Sequence, residues 1–88
     1  MEHGIFSVFG NQVRTQLLVC LSQKPKSVTE LIKTCHLSQS AVSQHLSKLK
    51  ESGLVETKKE GKTVWYSIKY KKAGNIGKML MTLSKEVV

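Results

Sequence analysis

Ser38-Gln-Ser-Ala-Val-Ser-Gln-His-Leu-Ser-Lys-Leu-Lys-Glu-Ser-Gly53 is the stretch whose reading decides the fold. It reads as one helix with marked ends. Ser38 is a good N-cap, because its hydroxyl can accept from a free backbone N–H of the first turn. Gly53 suits the left-handed residue just past the last turn, where a Cβ would be strained. Lys48 and Lys50 lie toward the negative end of the helix dipole. Val42, Leu46 and Leu49 recur at i, i+4 and i+7 and form a narrow apolar stripe. The remaining face carries Gln39, Ser40, Ser43, Gln44 and Ser47. A solvated helix face more often carries Glu and Lys pairs. Short hydroxyls and amides can hydrogen-bond base edges in a DNA major groove, and their size permits close approach. The stretch is expected to be a recognition helix; a Ser/Gln-rich surface helix fits the same residues taken alone.

Upstream, Ser27-Val-Thr-Glu30 has the spacing of a capping box. It opens a short helix through about Cys35, with Leu31, Ile32 and Cys35 facing inward. His36 and Leu37 form the turn into Ser38. Two short helices joined by a tight turn, the second polar on its outer face, make a helix-turn-helix over 27–53. Downstream of Gly53 the period changes from helix to strand. Val55 and Thr57 alternate, Lys59-Glu-Gly-Lys62 is a turn, and Val64, Tyr66 and Ile68 return, with Trp65 and Ser67 on the other face. A hairpin over 54–69, placed directly after this helix, is a wing. Its tip gathers Lys58, Lys59 and Lys62 around Glu60. Such a tip suits contact with phosphates; it also guards a strand edge against aggregation.

The two ends of the chain carry apolar residues. Residues 1–9 are expected to form a helical arm, since Ile5, Phe6, Val8 and Phe9 are too apolar to be left in water. Asn11 caps a helix over about 12–23, with Val13, Leu17, Cys20 and Leu21 on one face and Arg14 pointing away. Lys24-Pro25-Lys26 breaks it. Over 71–88, Ile76, Leu80, Leu83 and Val87 fall at i, i+4, i+7 and i+11, a straight stripe at helical spacing. Gly74 and Gly77 weaken the first turn of that helix. The stripe exceeds what a small winged helix needs for its own core. Together with Ile5, Phe6 and Phe9 it is expected to form a two-fold dimer contact; packing of the tail on the helix at 12–23 is the intrachain alternative.

Composition bounds the partner. The 88 residues make one domain, 1–88, with 14 Lys and Arg against 6 Asp and Glu, a net charge of +8. For a small domain that favours nucleic acid over an anionic membrane or an acidic protein. No apolar run is long enough to cross a bilayer, and Met1-Glu-His-Gly-Ile5 has no signal-peptide pattern. The two cysteines lack CxxC spacing, which argues against a disulfide scaffold and fits a reducing cytoplasm. The expected fold class is mainly α with a small β-hairpin: a winged helix-turn-helix of about five helices and a two-stranded wing.

The span from Asn11 to Ile68, about two-thirds of the chain, resembles the ArsR/SmtB family of dimeric winged-helix repressors. The resemblance rests on Ser27-Val-Thr-Glu-Leu31, Leu37-Ser-Gln-Ser-Ala-Val-Ser-Gln-His-Leu46, Leu49-Lys-Glu-Ser-Gly-Leu-Val55 and Lys62-Thr-Val-Trp-Tyr-Ser-Ile68. Phe9-Gly-Asn-Gln-Val-Arg14 looks like the family's entry into its first long helix. The resemblance implies a homodimer that binds an imperfect palindrome near a promoter and blocks transcription. Gln39, Ser40, Ser43 and Gln44 would approach bases. Arg14, Ser38, Lys48, Lys58, Lys59 and Lys62 are the expected contacts to the DNA backbone. The family's metal-thiolate site has cysteines where this chain has Ser27 and Thr29, and hydroxyls do not replace thiolates for a soft metal. Its C-terminal Asp/His site has no counterpart between Ile76 and Val88, where Glu86 stands alone. Redox-sensing members carry a cysteine at the position of Ile32. Those switches therefore do not carry over.

Cys20 and Cys35 each sit on an apolar helical face, where thiols are usually inert, and the pattern places no partner for either. His45 lies at the edge of the buried stripe and reads as a packing residue; His3 lies in the terminus. No Cys, His and carboxylate set has ligand spacing, so neither metal nor cofactor is expected. There is no phosphate-binding glycine loop or nucleophile–base pattern, so no enzyme is expected. Two other classes share the fold: a non-sequence-specific architectural nucleic-acid binder, and a protein-interaction module with a basic face.

Overall fold

The structure, a computed structural model, describes residues 4–87. The first three residues of the expected arm, with His3, and Val88 at the end of the expected last helix lie outside the described residues. The elements in order are α1 (Ile5–Phe9), α2 (Gln12–Leu21), α3 (Val28–Cys35), α4 (Gln39–Ser52), β1 (Val55–Glu60), β2 (Thr63–Ile68) and α5 (Lys71–Glu86). Five helices and one two-stranded antiparallel hairpin match the expected winged helix-turn-helix.

Local chemistry sets most boundaries. Asn11 caps α2, its side-chain oxygen accepting from the Arg14 N–H at 3.0 Å. The capping box closes on α3: Glu30 N–H donates to Ser27 Oγ, and Ser27 N–H donates to Glu30 Oε1, both at 3.2 Å. His36 ends α3 in the left-handed region at φ 57°, a conformation that histidine tolerates better than most residues. Ser38 Oγ accepts from Ala41 N–H at 3.1 Å, and Gly53 ends α4 at φ 84°. The wing's turn is tighter than expected. The strands run to Glu60 and resume at Thr63, so only Gly61 and Lys62 form the loop, with Gly61 at φ 62°.

The core gathers Val8 of α1, Leu17, Leu18 and Leu21 of α2, Leu31 and Cys35 of α3, Val42, Leu46 and Leu49 of α4, Leu54, Val55 and Ala73. In α2 the buried set differs from the single face expected: Leu18 and Thr15 are buried, while Val13 and Cys20 are half-buried. The reason is that α2 packs against α1, α3, α4, α5 and β2 at once.

Three further expectations need correction. Lys26 does more than follow a break. Its N–H donates to Tyr66 O at 2.9 Å and its carbonyl accepts from Tyr66 N–H at 2.8 Å, a third rung laid on the wing. Cys20 and Cys35, expected to be unpaired, are joined by a disulfide between α2 and α3, with Cα atoms 6.6 Å apart. Packing of α3 across α2 brings together residues that no local spacing relates. Gly74 and Gly77 are not merely weak points of α5. They face α2, and a Cβ on Gly74 would lie 2.9 Å from Ser22 Cβ, one on Gly77 3.1 Å from Val19 Cγ2. The missing side chains let α5 approach α2 closely.

Candidate nucleic-acid interface

The caps and the buried stripe orient α4. Val42, Leu46 and Leu49 are sealed into the core, which turns Gln39, Ser40, Ser43, Gln44 and Ser47 to solvent on one surface. Lys48 and Lys50 are exposed beside them, and the first turn carries no acidic residue. The surface thus offers donors and acceptors on short stems, with positive charge toward its C-terminal end. Ser38 Oγ serves the cap and lies 3.4 Å from Ser40 Oγ. A hydroxyl has two lone pairs and one hydrogen, so capping leaves that hydrogen able to turn outward.

The wing holds Lys58, Lys59 and Lys62 exposed at its outer end. Lys58 Nζ lies 3.5 Å from Glu60 Oε2, with both side chains well exposed. Such a pair is weak in water and exchanges readily for another anion. Lys59 and Lys62 make no ion pair among the described residues. A phosphate could therefore be met by two unpaired ammonium groups and one loosely paired group.

Arg14 is placed elsewhere than expected. Its side chain turns inward between helices instead of pointing away. Nη1 lies 3.2 Å from His45 Nδ1 on α4, and Nη2 donates to Ser7 O on α1 at 3.2 Å. Nε is sealed from solvent and has no hydrogen-bond partner among the described residues. In this arrangement the guanidinium is engaged within the fold by His45 and Ser7. Burial, and after it the Arg14 charge, push the His45 pKa below its ordinary value. Sequence reading missed this pair because the two residues are 31 apart.

The apolar residues expected at a dimer contact are on the surface. Phe6 is 90% exposed, Leu83 53% and Val87 74%, with Ile5, Ile76 and Leu80 also exposed and Phe9 half-buried. Ile5, Phe9 and Ile76 come together around a groove of about 530 Å³ that Leu54 and Tyr70 also line. Met79, 71% exposed beside Leu80 and Leu83, belongs to the same patch and was not anticipated. Its signal was present, as an apolar residue three past Ile76. No group of three or more His, Cys, Asp or Glu among the described residues could hold a metal ion. No helix among them is long and apolar enough to cross a membrane.

A capped helix with a short polar outer face, a preceding helix across a tight turn and a lysine-tipped hairpin define a winged helix-turn-helix of the nucleic-acid-binding type. Residues 11–57 match the model of the bacterial regulatory protein, arsR family, and the chain belongs to that family. It is similar to the transcriptional activator HlyU of Vibrio cholerae, 44% identical over 64 residues, covering 73% of this chain and 59% of that protein. The nodulation protein NolR of Rhizobium meliloti is 41% identical, covering 73% of this chain and 52% of NolR. The chain thus spans between half and three-fifths of the length of these two relatives. In structure it resembles the transcriptional repressor BigR from Xylella fastidiosa, with a TM-score of 0.78, 32% identity, and coverage of 88% of this chain and 79% of that one.

Proposed function

We propose that the protein is a sequence-specific double-stranded DNA-binding transcriptional regulator, a homodimer that represses by occupying a palindromic operator. The observation that carries this reading is the outer face of α4, where Gln39, Ser40, Ser43 and Gln44 stand exposed on a helix whose back is sealed in the core. Those four residues read base edges. Ser38, Lys48, Lys58, Lys59 and Lys62 hold the backbone. Membership in a family of regulatory proteins supports the same conclusion. Ile5, Phe6, Phe9, Ile76, Leu80, Leu83 and Val87 form the dimer contact, since so large an exposed apolar patch needs cover. A two-fold axis then sets the two copies of α4 about 34 Å apart, matching half-sites one helical turn apart. Repression is the simplest output of such a protein, because bound protein excludes polymerase; HlyU is named an activator and BigR a repressor.

Selection of bound sites from random DNA tests this. An enriched palindrome with half-sites one turn apart is the expected result. Recovery of unrelated sequences would point instead to an architectural binder, and no retention of DNA at moderate salt to a protein-interaction module.

A further inference from the structure

The Arg14–His45 contact joins α2 to the helix proposed to read DNA, and the DNA-reading face itself does not use it. A guanidinium can only donate hydrogen bonds. His45 Nδ1, 3.2 Å from Arg14 Nη1, is therefore the unprotonated nitrogen, and the ring proton sits on Nε2. Nη2 is held at the same time by Ser7 O on α1. The rest of the α4 seat is apolar, made by Val42, Leu46 and Leu49. Apolar packing is non-directional and tolerates small rotations, whereas a hydrogen bond is directional. His45 follows Gln44 directly, so any turn of α4 that moves the imidazole also swings Gln44.

We propose that Arg14 and His45 are positioning residues for operator reading: their hydrogen bond sets the rotation of α4 on α2, and it persists only while His45 is neutral. The inference rests on α4 being the reading helix. Protonation makes both ring nitrogens donors, so an N–H would face the Nη1 hydrogens and two positive charges would meet. Arg14 is the charge acting on His45. Of the other elements packed on α4, α1 carries no titratable side chain, and α2 carries only Arg14 besides disulfide-bonded Cys20. On α3, Glu30 is engaged in the capping box and Lys33 is exposed; on β1, Glu56, Lys58, Lys59 and Glu60 are exposed, as are Lys48, Lys50 and Glu51 on α4 itself. Among the described residues no carboxylate is placed to welcome the imidazolium. The folded-state pKa lies below the unfolded value of about 6.5. The bond is therefore fully present above that value and is lost as pH falls through the depressed one. Phosphates act the other way, drawing protons toward a DNA-bound protein, so the informative quantity is the ratio of operator to random-DNA affinity.

The test uses the full chain and the consensus recovered by site selection, with random DNA of equal length, between about pH 5 and pH 8. The unaltered chain should lose about tenfold in the ratio toward the acid end, the scale of one hydrogen bond to a charged group. His45→Asn, which keeps an acceptor near the Nδ1 position and does not titrate, should hold the ratio with a flat profile. Arg14→Met should lower the ratio at neutral pH while leaving random-DNA affinity within about twofold. Nitrogen NMR of His45 should show the Nε2–H tautomer at neutral pH. The same pH profile for His45→Asn as for the unaltered chain, or an Nδ1–H tautomer, overturns the proposal, and both readouts stand even if Arg14→Met fails to fold. A ratio of one for the unaltered chain at every pH overturns the reading of α4 itself, and this proposal with it.

Discussion

Gln44 and Lys62 do different work under the proposed function, and single substitutions separate them. Gln44 carries a planar amide that can meet one base edge with a paired donor and acceptor. Gln44→Ala should reduce the preference for the operator over random DNA by about tenfold or more, with weak general binding retained, as measured by competition gel shift. Lys62 is a point charge at the wing's turn. Lys62→Ala should weaken binding to all sequences alike and lower the slope of log affinity against log salt by about 0.9, one phosphate's worth of released counterion. Ser43 and Gln44 could be picked out in the sequence because the stripe of Val42, Leu46 and Leu49 assigns the opposite face of the same helix. Arg14 could not be placed that way. Its position near a helix start suggested an outward cation, and only the seating of α1 and α4 around it turned the guanidinium inward.

Among the elements, α4 and α5 make contrasting cases. The start of α4 depends on one side chain, Ser38, whose Oγ accepts from Ala41 N–H at 3.1 Å. Ser38→Ala should cost about 1 kcal/mol in chemical denaturation, the ordinary value of such a cap. In α5 the sign of an effect is at stake. Helix propensity alone predicts that Gly74→Ala stabilises by up to about 1 kcal/mol. The new Cβ, however, would stand 2.9 Å from Ser22 Cβ and 3.1 Å from Ile68 Cδ1. The Ile68 methyl can rotate aside, but Ser22 Cβ is fixed to the backbone of the facing segment, and crowding of this kind costs roughly 1–3 kcal/mol. Gly74→Ala should therefore lower the melting temperature; a rise would show that α5 does not pack so tightly on α2. The wing shows a smaller contrast. Alternation in the sequence marked both strands, while Lys26 joined Tyr66 through backbone atoms alone, which no side-chain pattern reveals.

At the scale of the whole molecule the dominant feature is apolar surface left uncovered. The inner face of α5 is spent on α2 through Gly74 and Gly77, so the stripe of Ile76, Leu80, Leu83 and Val87 faces outward. The two alternatives for the tail, packing on α2 and pairing with a second copy, use different faces of one helix and are compatible. Leu83→Glu places a charge in the patch without touching the core. It should reduce the mass seen by light scattering to the 9.8 kDa of one chain and weaken operator binding, since two half-sites would no longer be held together. A mass unchanged by Leu83→Glu would remove that residue from the proposed dimer contact.

The sequence by itself determined what depends on neighbours within about one helical turn. Ser27 with Glu30, Ser38, Gly53, Gly61 and the two periodicities specify three capped helix boundaries, the wing and the polar face of α4. These are side-chain caps on backbone N–H groups, local φ preferences and side-chain periodicity, and none of them needs a distant residue. Tertiary structure decided what depends on residues far apart in the chain. Cys20 meets Cys35 across 15 residues, and Arg14 meets His45 across 31. Gly74 serves an approach to Ser22, and α2 has no single buried face because five elements surround it. The physical reason is the same throughout: a periodic pattern states which side of an element is buried, and only packing states what it is buried against.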